Sequence, residues 1–288
     1  MISERGWKWI ITAGGTVMAA FLLLSRLGAP ALWDDEATTA LYAGSVWRSG
    51  DTSAVTGHNV VAYQSGMELR GLKNRVIPPL PFYLAAPFVG NAPGSALAAR
   101  LPFALCGLFT VWIIMLWLWQ ARARILTWVL MTAGLLTNVS FLLFNRQCRY
   151  YAPVILLSVM TAYFYYFRKR GWTCVVGMGL SAWLLLSAHY LCYAGVMVCL
   201  AVDYGLWGRK KQGYAVREGL IFFGIQLVLG GILVGIYNPF GVTIWEISRQ
   251  PWLTEKLTLF VWNWRELNSN ELGVGVLILA AAVLGIWG

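Results

Sequence analysis

The segment Trp33-Asp34-Asp35-Glu36-Ala37 places three consecutive acids shortly after the first long apolar run of the chain. The whole chain has 288 residues, of which 59% are hydrophobic and only 12% are charged. Carboxylates at the edge of a bilayer are expensive to desolvate, and acids kept there usually bind ions, move protons or take part in acid–base chemistry. The segment therefore separates a first membrane span from a polar region in which chemistry is expected.

The composition excludes an ordinary soluble domain and predicts an all-α membrane protein with several spans. Mean hydropathy is +0.63, and the 16 Trp, 13 Tyr and 13 Phe suit anchoring at both membrane interfaces. The net charge of +10 does not indicate a nucleic-acid partner, because the basic residues form short clusters between apolar runs. The five cysteines have no Cys-x-x-Cys spacing, so neither a disulfide framework nor a zinc site is predicted.

Apolar runs of roughly 17–20 residues are long enough to cross about 30 Å of hydrocarbon. We predict a single transmembrane domain over residues 1–288, and its N-terminus resembles an uncleaved signal anchor. The expected spans, about eight in all, lie near residues 7–26, 101–120, 125–144, 152–167, 172–188, 190–207, 217–237 and 271–288.

Clusters of basic residues predict which end of each span is cytoplasmic, because Lys and Arg concentrate on that side of a membrane. The clusters lie at Arg5 and Lys8, Arg122 and Arg124, Arg168–Arg170, and Arg209–Lys211. This assignment makes residues 27–100 a long outer loop, and it also places Asn145–Tyr151, the turn at His189 and residues 238–270 outside.

The stretch Val76–Gly90 is apolar, but it is short and carries four prolines. A span here would place the basic cluster at Arg122 and Arg124 outside and invert every later loop. We therefore predict that this stretch is an interfacial or partly re-entrant segment. Its Pro78-Pro79-Leu80 element is either a stiff turn or a rigid shelf that holds Lys73 and Arg75 against the acids.

The acids open a segment from Asp35 to Trp47 that predicts a helix lying on the membrane, with apolar and small residues on one face. Asp34 or Asp35 can cap this helix, and acids in its first turn suit the helix dipole. Capping needs one acid and not three, so Asp34, Asp35 and Glu36 are catalytic candidates. Three acids can bind a divalent metal, but no ligand cluster with metal-site spacing indicates such a site. No cofactor is predicted.

Several cations fall on the predicted outer face, where the positive-inside rule disfavours them. A lipid phosphate suits such cations, because Arg binds phosphate with a bidentate fork and Lys acts as a point charge. The predicted phosphate-binding residues are Lys73, Arg75, Arg100, Arg149 and Tyr151, with Arg70, Arg146, His58 and His189 as further candidates. The alternatives are solvated surface charge, headgroup contacts, aromatic anchoring by the tyrosines, and structural roles for the two histidines.

The order of these motifs resembles the GT-C glycosyltransferases over roughly residues 7–210. The nearest branches are the dolichyl-phosphate-mannose-protein mannosyltransferases and the aminoarabinose transferases of lipid A. The matching residues are Asp35-Glu36-Ala37, Pro78-Pro79-Leu80, Gly94 with Arg100-Leu101-Pro102, Arg149-Tyr150-Tyr151-Ala152 and His189-Tyr190. No single motif is decisive, and their order and spacing carry the resemblance.

The resemblance implies a GT-C-type helix bundle with membrane-parallel helices in the first outer loop. It also implies inverting transfer of a sugar from a polyprenyl-phosphate donor to a hydroxyl on a lipid, glycan or protein. Asp35 is then the base, with Glu36 as its neighbour, while Lys73 and Arg75 are a slightly shifted match to a basic residue before Pro-Pro. Family members are usually longer, so the C-terminal part of their architecture is expected to be absent here.

The resemblance further implies an integral protein of a bacterial inner membrane, with its site facing the periplasm. Two other classes of function stay open. One is a non-catalytic remnant or subunit that binds polyprenyl lipids, and the other is a lipid transporter or flippase. A transporter predicts mid-span charges, broken helices and inverted repeats, whereas the sequence contains few mid-span charges and no evident repeat.

Overall fold

The computed structural model describes residues 3–62, 66–208 and 216–238, together with the isolated positions 257, 258, 261, 262 and 265. Regular structure in these ranges is almost entirely helical. The predicted span at 271–288, the basic cluster Arg209–Lys211 and most of the predicted outer segment 238–270 lie outside the described residues.

The helices follow one another along the chain with short connections, apart from one long loop between the second and the third. They are α1 (Glu4–Leu24), α2 (Asp34–Ser49), α3 (Leu80–Val89), α4 (Ala96–Gln120), α5 (Ile125–Thr137), α6 (Val139–Asn145), α7 (Tyr151–Tyr166), α8 (Trp172–Ala188), α9 (Tyr190–Asp203) and α10 (Val216–Ile225). A π-helical turn, Tyr204–Gly208, follows α9, and α10 continues through a π-helical turn, Gln226–Gly230, into Gly231–Ile236. A short 3-10 turn, Arg168–Arg170, joins α7 to α8.

The long loop contains two small antiparallel hairpins. Strand β1 (Val55–Thr56) pairs with β2 (Asn59–Val60), and Val55 lies opposite Val60. Strand β3 (Leu69–Arg70) pairs with β4 (Lys73–Asn74), which places Arg70 opposite Lys73. Two-residue strands of this kind depend on the rest of the fold for stability.

Four helices in the described ranges are long and apolar enough to cross a membrane: α1, α4, Tyr190–Trp207 and Val216–Ile236. A fifth crossing results if α5 and α6, which meet at an angle of 59°, form one broken span. The predicted helical membrane protein is therefore confirmed at this level, while the GT-C arrangement stays a prediction. At the expected spans 152–167 and 172–188, α7 and α8 have only 16 and 17 residues, fewer than the ~20 that a crossing usually needs.

Contacts between helix ends define two ends of the bundle. At the first, which we call the basic end, Arg5 lies 6.0 Å from the centre of the Trp119 ring, and Arg170 donates to Gln120. Lys169 forms an ion pair of 3.2 Å with Glu218 at the same end.

The opposite end carries the long loop, and we call it the loop end. Here Arg146, just after α6, donates to the carbonyls of Leu22 and Ser25 at the end of α1, both at 2.7 Å. The helices thus alternate in direction as the basic clusters predict. Which side of the membrane each end faces stays a prediction.

The stretch Val76–Gly90 does not form a span. Its helix, α3, has 10 residues and is therefore about 15 Å long, which is too short to cross. It packs against α2, where the rings of Phe82 and Tyr42 lie 5.1 Å apart. Because the end of α1 and the start of α4 both lie at the loop end, α3 remains at that end, in agreement with the sequence.

The core beneath the long loop joins α2, α3, α4 and the start of α7 through small side chains, among them Ala40, Ala43, Ala85 and Ala99. Small residues allow helix backbones to approach closely. The face of α2 that carries the small residues is thus buried against the bundle. This packing fixes the directions in which the acids at the start of α2 point.

Candidate functional site

The start of α2 is held by a buried ion pair between Glu36 and Arg100. Arg100 donates from Nε to Glu36 Oε1 at 2.8 Å and from Nη2 to Oε2 at 2.5 Å. The Glu36 side chain is 0% exposed and that of Arg100 is 7% exposed. A planar guanidinium matches a carboxylate in this two-point geometry, which fixes orientation as well as distance.

Backbone groups complete this arrangement on both sides. Arg100 Nη1 donates to the carbonyls of Leu27 and Pro30 at 3.1 and 2.7 Å, and Nη2 donates to that of Ala31 at 2.9 Å. Glu36 Oε1 also accepts from the backbone N–H of Cys148 at 2.8 Å. Four chain segments therefore converge on one buried pair, which we call the Glu36–Arg100 clamp.

Glu36 and Arg100, which the sequence suggests as catalytic and phosphate-binding residues, have structural roles in the clamp. Glu36 Oε2 accepts a fourth hydrogen bond, from the backbone N–H of Trp33 at 3.4 Å. A carboxylate with four donors and no exposure has little capacity to meet a substrate, and the same holds for a guanidinium saturated by a carboxylate and carbonyls. Arg100, predicted to bind phosphate, holds α2 in place in this structure. Cys148, which the sequence reading missed, contributes only its backbone N–H, and burial raises the pKa of its thiol above the ordinary range.

Asp35, one residue earlier, points to a different surface and pairs with Arg149. The ion pair joins Asp35 Oδ2 to Arg149 Nη1. The side chains are 19% and 12% exposed, respectively, so a ligand can reach the pair without unfolding it. Both side chains of this pair are thus more exposed than those of the clamp.

Aromatic rings surround the cation of this pair. The Arg149 guanidinium carbon lies 5.5 Å from the Trp33 ring centre, 5.3 Å from that of Tyr150 and 5.8 Å from that of Tyr151. Cation–π contacts of this kind hold an Arg side chain in place. The structure therefore brings together Asp35, Arg149 and Tyr151, three of the residues predicted from the sequence.

A cavity of about 450 Å³ adjoins this pair through Trp33. Its walls are mostly apolar, with Leu27, Pro30 and Leu142 among them. Its charged lining is Arg146 and the two clamp residues, whereas Asp35 and Arg149 lie outside the lining. Arg146 is engaged by the carbonyls at the end of α1, so it contributes charge but few spare donors. The volume is in the range of small-molecule sites.

Lys73 and Arg75 form a second charged cluster, centred on Asp51. Arg75 makes a two-point contact with the Asp51 carboxylate at 2.8 and 2.7 Å, and Lys73 Nζ lies 2.8 Å from Asp51 Oδ2. The hydrogen bonds from Arg75 hold the pKa of Asp51 well below its usual range. Arg75 also lies 5.5 Å from the ring of Tyr237, which follows the helical segment Gly231–Ile236.

The two clusters lie at opposite ends of α2. A helix of 16 residues is about 24 Å long, and Asp35 stands at its start while Asp51 follows its end. The expectation that the Pro78-Pro79-Leu80 element holds Lys73 and Arg75 against the acids is therefore wrong. Asp51, absent from the sequence-based candidates, takes both cations because the hairpin returns the chain beside it.

The remaining candidates have less distinctive surroundings. Asp34, His58 and Arg70 are exposed. His189 caps α9, because its Nδ1 accepts from the backbone N–H of Cys192 at 3.2 Å, and its ring stacks on Tyr150 at 4.5 Å. Among the described residues, no group of three or more His, Cys, Asp or Glu side chains could hold a metal ion.

Comparisons of the chain with models of protein families, with curated proteins and with solved structures found no match. The function is therefore inferred from the geometry of the Asp35–Arg149 pair and its surroundings.

The cap at His189 predicts a pH-dependent stability. Burial lowers the pKa of His189, and a protonated ring has no acceptor at Nδ1, so the folded state requires the neutral form. The unfolded chain takes up the proton first as the pH falls through about 6.5. The free energy of unfolding should then fall by about 1 kcal/mol between pH 7.5 and 5.5, the value of an N-cap.

Thermal unfolding at the two pH values measures this effect. His189→Asn keeps a capping oxygen but does not titrate, so its stability should be almost independent of pH over this range. His58→Asn, at the exposed second histidine, should retain the pH dependence of the unsubstituted protein. Equal pH dependence in His189→Asn and the unsubstituted protein would contradict the role of the cap.

Proposed function

We propose that this protein is an inverting glycosyltransferase that moves a sugar from a polyprenyl-phosphate donor to an acceptor hydroxyl at the outer membrane face. The observation that carries the proposal is the accessible Asp35–Arg149 ion pair beside an apolar cavity. Asp35 supplies a proton acceptor and Arg149 a cation for a phosphate. Trp33, which contacts Arg149, also lines the apolar cavity that offers a surface for a lipid. The resemblance of the motif order to GT-C enzymes supports the same assignment.

The donor in this proposal needs no nucleotide-binding fold. A polyprenyl phosphate is a good leaving group once its negative charge is stabilised, and Arg149 offers the guanidinium fork that suits it. Asp35 takes the proton of the acceptor hydroxyl, whose oxygen forms a bond to the anomeric carbon from the face opposite the phosphate. The bond from that carbon to the phosphate oxygen breaks, and configuration is inverted.

The ion pair gives this chemistry an order of events. While Arg149 is bound to Asp35, the carboxylate is engaged by a cation and is a weaker proton acceptor. A donor phosphate competes for the same guanidinium, and its binding releases Asp35 to meet the acceptor. The cavity beside Trp33 accommodates the first part of the polyprenyl chain, which is apolar like its walls.

The rigid setting of α2 suits this role. Because two donors from Arg100 and the backbone N–H groups of Cys148 and Trp33 fix the Glu36 carboxylate, the neighbouring Asp35 is held in position without being buried. Catalytic groups need placement within a fraction of an ångström, and a supporting hydrogen-bond network provides it. The clamp residues are accordingly positioning residues in this proposal, and Asp35 and Arg149 are the reacting and binding groups.

Replacing Arg149 by Gln tests where the donor phosphate binds. Loss of a charge-assisted contact of about 1.5–3 kcal/mol should weaken donor binding roughly ten- to hundredfold. Arg75→Gln serves as the comparison, because it removes the same charge from the other cluster and should leave donor binding within about twofold. Binding of short-chain polyprenyl-phosphate sugars to the protein in nanodiscs measures both.

The opposite pattern, with weak binding in Arg75→Gln and normal binding in Arg149→Gln, would move the donor site to the Asp51 cluster. Tight binding of polyprenyl phosphate without transfer from a panel of polyprenyl-phosphate sugars to hydroxyl acceptors would favour the non-catalytic lipid-binding alternative.

A further inference from the structure

A second pocket, of about 550 Å³, lies at the basic end between the first turns of α1 and the end of α4. Its walls contain three cations, Arg5, Lys8 and Arg122, but a single acid, Glu4. Trp119 and Ser3 complete the lining. None of these residues belongs to the site proposed above, which lies at the opposite end of the bundle.

The charges in this pocket do not balance. Lys8 pairs with Glu4 at 2.8 Å, which leaves Arg5 and Arg122 as the excess. Arg5 lies over the Trp119 ring at 6.0 Å. In the ranges that the structure describes, no carboxylate forms an ion pair with Arg5 or Arg122. The pocket thus presents two uncompensated guanidinium groups and suits an anion with several acceptor oxygens.

The backbone of Arg122 adopts a conformation that glycine usually takes. Its φ is +54°, and it closes α4 through hydrogen bonds from Arg122 N to Trp119 O at 3.1 Å and from Ala123 N to Leu118 O at 3.0 Å. This pattern is the Schellman ending of a helix, in which the left-handed residue is most often Gly. An Arg here carries a backbone penalty that glycine would not, and its side chain lines the pocket.

The position of the pocket relative to the membrane favours the phosphate of a lipid headgroup as the bound anion. It lies where the apolar runs of α1 and α4 reach their polar ends. Trp7 and Trp9 are 48% and 57% exposed beside it, and tryptophans at such a level mark the headgroup region. Basic pockets between spans on the positively charged side recognise the phosphates of anionic lipids.

We propose that this pocket binds the phosphate of an anionic phospholipid headgroup, drawn from the membrane leaflet at the basic end. Arg5 and Arg122 contact the phosphate oxygens, and Trp119 packs against the glycerol region. The lipid joins the start of α1 to the end of α4 and so stabilises the bundle. This site is independent of the proposed transferase activity, and either can hold without the other.

The variant Arg122→Gly separates the binding site from the fold. It removes the cation and at the same time suits the positive φ, so the protein should be no less stable than the unsubstituted one in nanodiscs of phosphatidylcholine. In nanodiscs that also contain phosphatidylglycerol, the unsubstituted protein should gain thermal stability and the variant should not. Phosphatidylglycerol retained in native mass spectrometry should fall about tenfold in the variant.

Two controls match this substitution. Arg26→Gly makes the same change at the loop end, where Arg26 also has a positive φ of 51° and follows the end of a helix. Arg124→Gln removes an exposed cation from the same end of the bundle but outside the pocket. Both should keep the response to phosphatidylglycerol. Arg5→Gln should lose it, which provides a second test if Arg122→Gly does not fold.

Three results would overturn the proposal. One is a response to phosphatidylglycerol that survives in both Arg122→Gly and Arg5→Gln. Another is an equal loss in Arg124→Gln, which would indicate unspecific attraction to charged lipid. The third is stabilisation by inorganic phosphate in phosphatidylcholine nanodiscs without any by phosphatidylglycerol, which would identify free phosphate as the ligand.

Discussion

Replacement of Asp35 by Asn is expected to lower turnover by about 10²–10⁴-fold, with donor binding largely retained. Asn preserves the size of the side chain and one carbonyl oxygen but cannot accept a proton from the acceptor hydroxyl. Arg149 remains in place over its aromatic neighbours, so the donor phosphate keeps its cation. Transfer of labelled sugar from a polyprenyl-phosphate donor, together with a separate measurement of donor binding, distinguishes the two effects.

Asp34→Asn is the matched control for this prediction. Asp34 is the preceding residue, carries the same charge and is exposed, so its substitution should leave turnover within a fewfold of normal. Near-normal turnover in Asp35→Asn, combined with a large loss in Asp34→Asn, would show that the base is assigned to the wrong acid.

The second large effect is expected at the clamp. Glu36→Gln leaves the guanidinium of Arg100 buried without a counter-charge, and losing one partner of a buried ion pair costs about 3–5 kcal/mol. The Gln side chain also carries an NH₂ group, and the Arg100 guanidinium that faces it has only donors. At least one N–H group therefore stays unsatisfied. The free energy of unfolding in detergent, followed by circular dichroism, should fall by this amount.

The same control applies to stability. Asp34→Asn should change the free energy of unfolding by less than about 0.5 kcal/mol, as exposed substitutions usually do. A loss of activity in Glu36→Gln with unchanged stability would contradict the clamp and would favour a direct catalytic role for Glu36. The clamp and the Asp35–Arg149 pair are therefore separable, although their acids are adjacent in sequence.

The sequence by itself determined the features that depend on local composition. Apolar runs predict the helical membrane protein. The small residues between Asp35 and Trp47 predict a helix with one apolar face, although the structure packs that face on α3 and α4 rather than on the membrane. The prolines and the shortness of Val76–Gly90 exclude a span there, in agreement with the 10-residue helix α3. These inferences succeed because each depends on residues close together in the chain.

The surroundings of the three acids were decided only by the tertiary structure. Consecutive residues of a helix point about 100° apart, so Asp34, Asp35 and Glu36 face three directions. Which of them turns inward depends on the face of α2 that packs against α3 and α4. The sequence shows that face as a set of small residues, but the inward turn of Glu36 follows from Arg100 and the Cys148 backbone, 64 and 112 residues away.

The tertiary structure likewise determines which acid each cation pairs with. Lys73 and Arg75 are near the Pro-rich element in sequence, yet the hairpin of β3 and β4 delivers them to Asp51 at the far end of α2. Arg149, by contrast, reaches Asp35 from a connection more than a hundred residues later. Charged side chains pair according to where the backbone places them, and long-range placement is set by packing of the apolar helices rather than by the charges themselves.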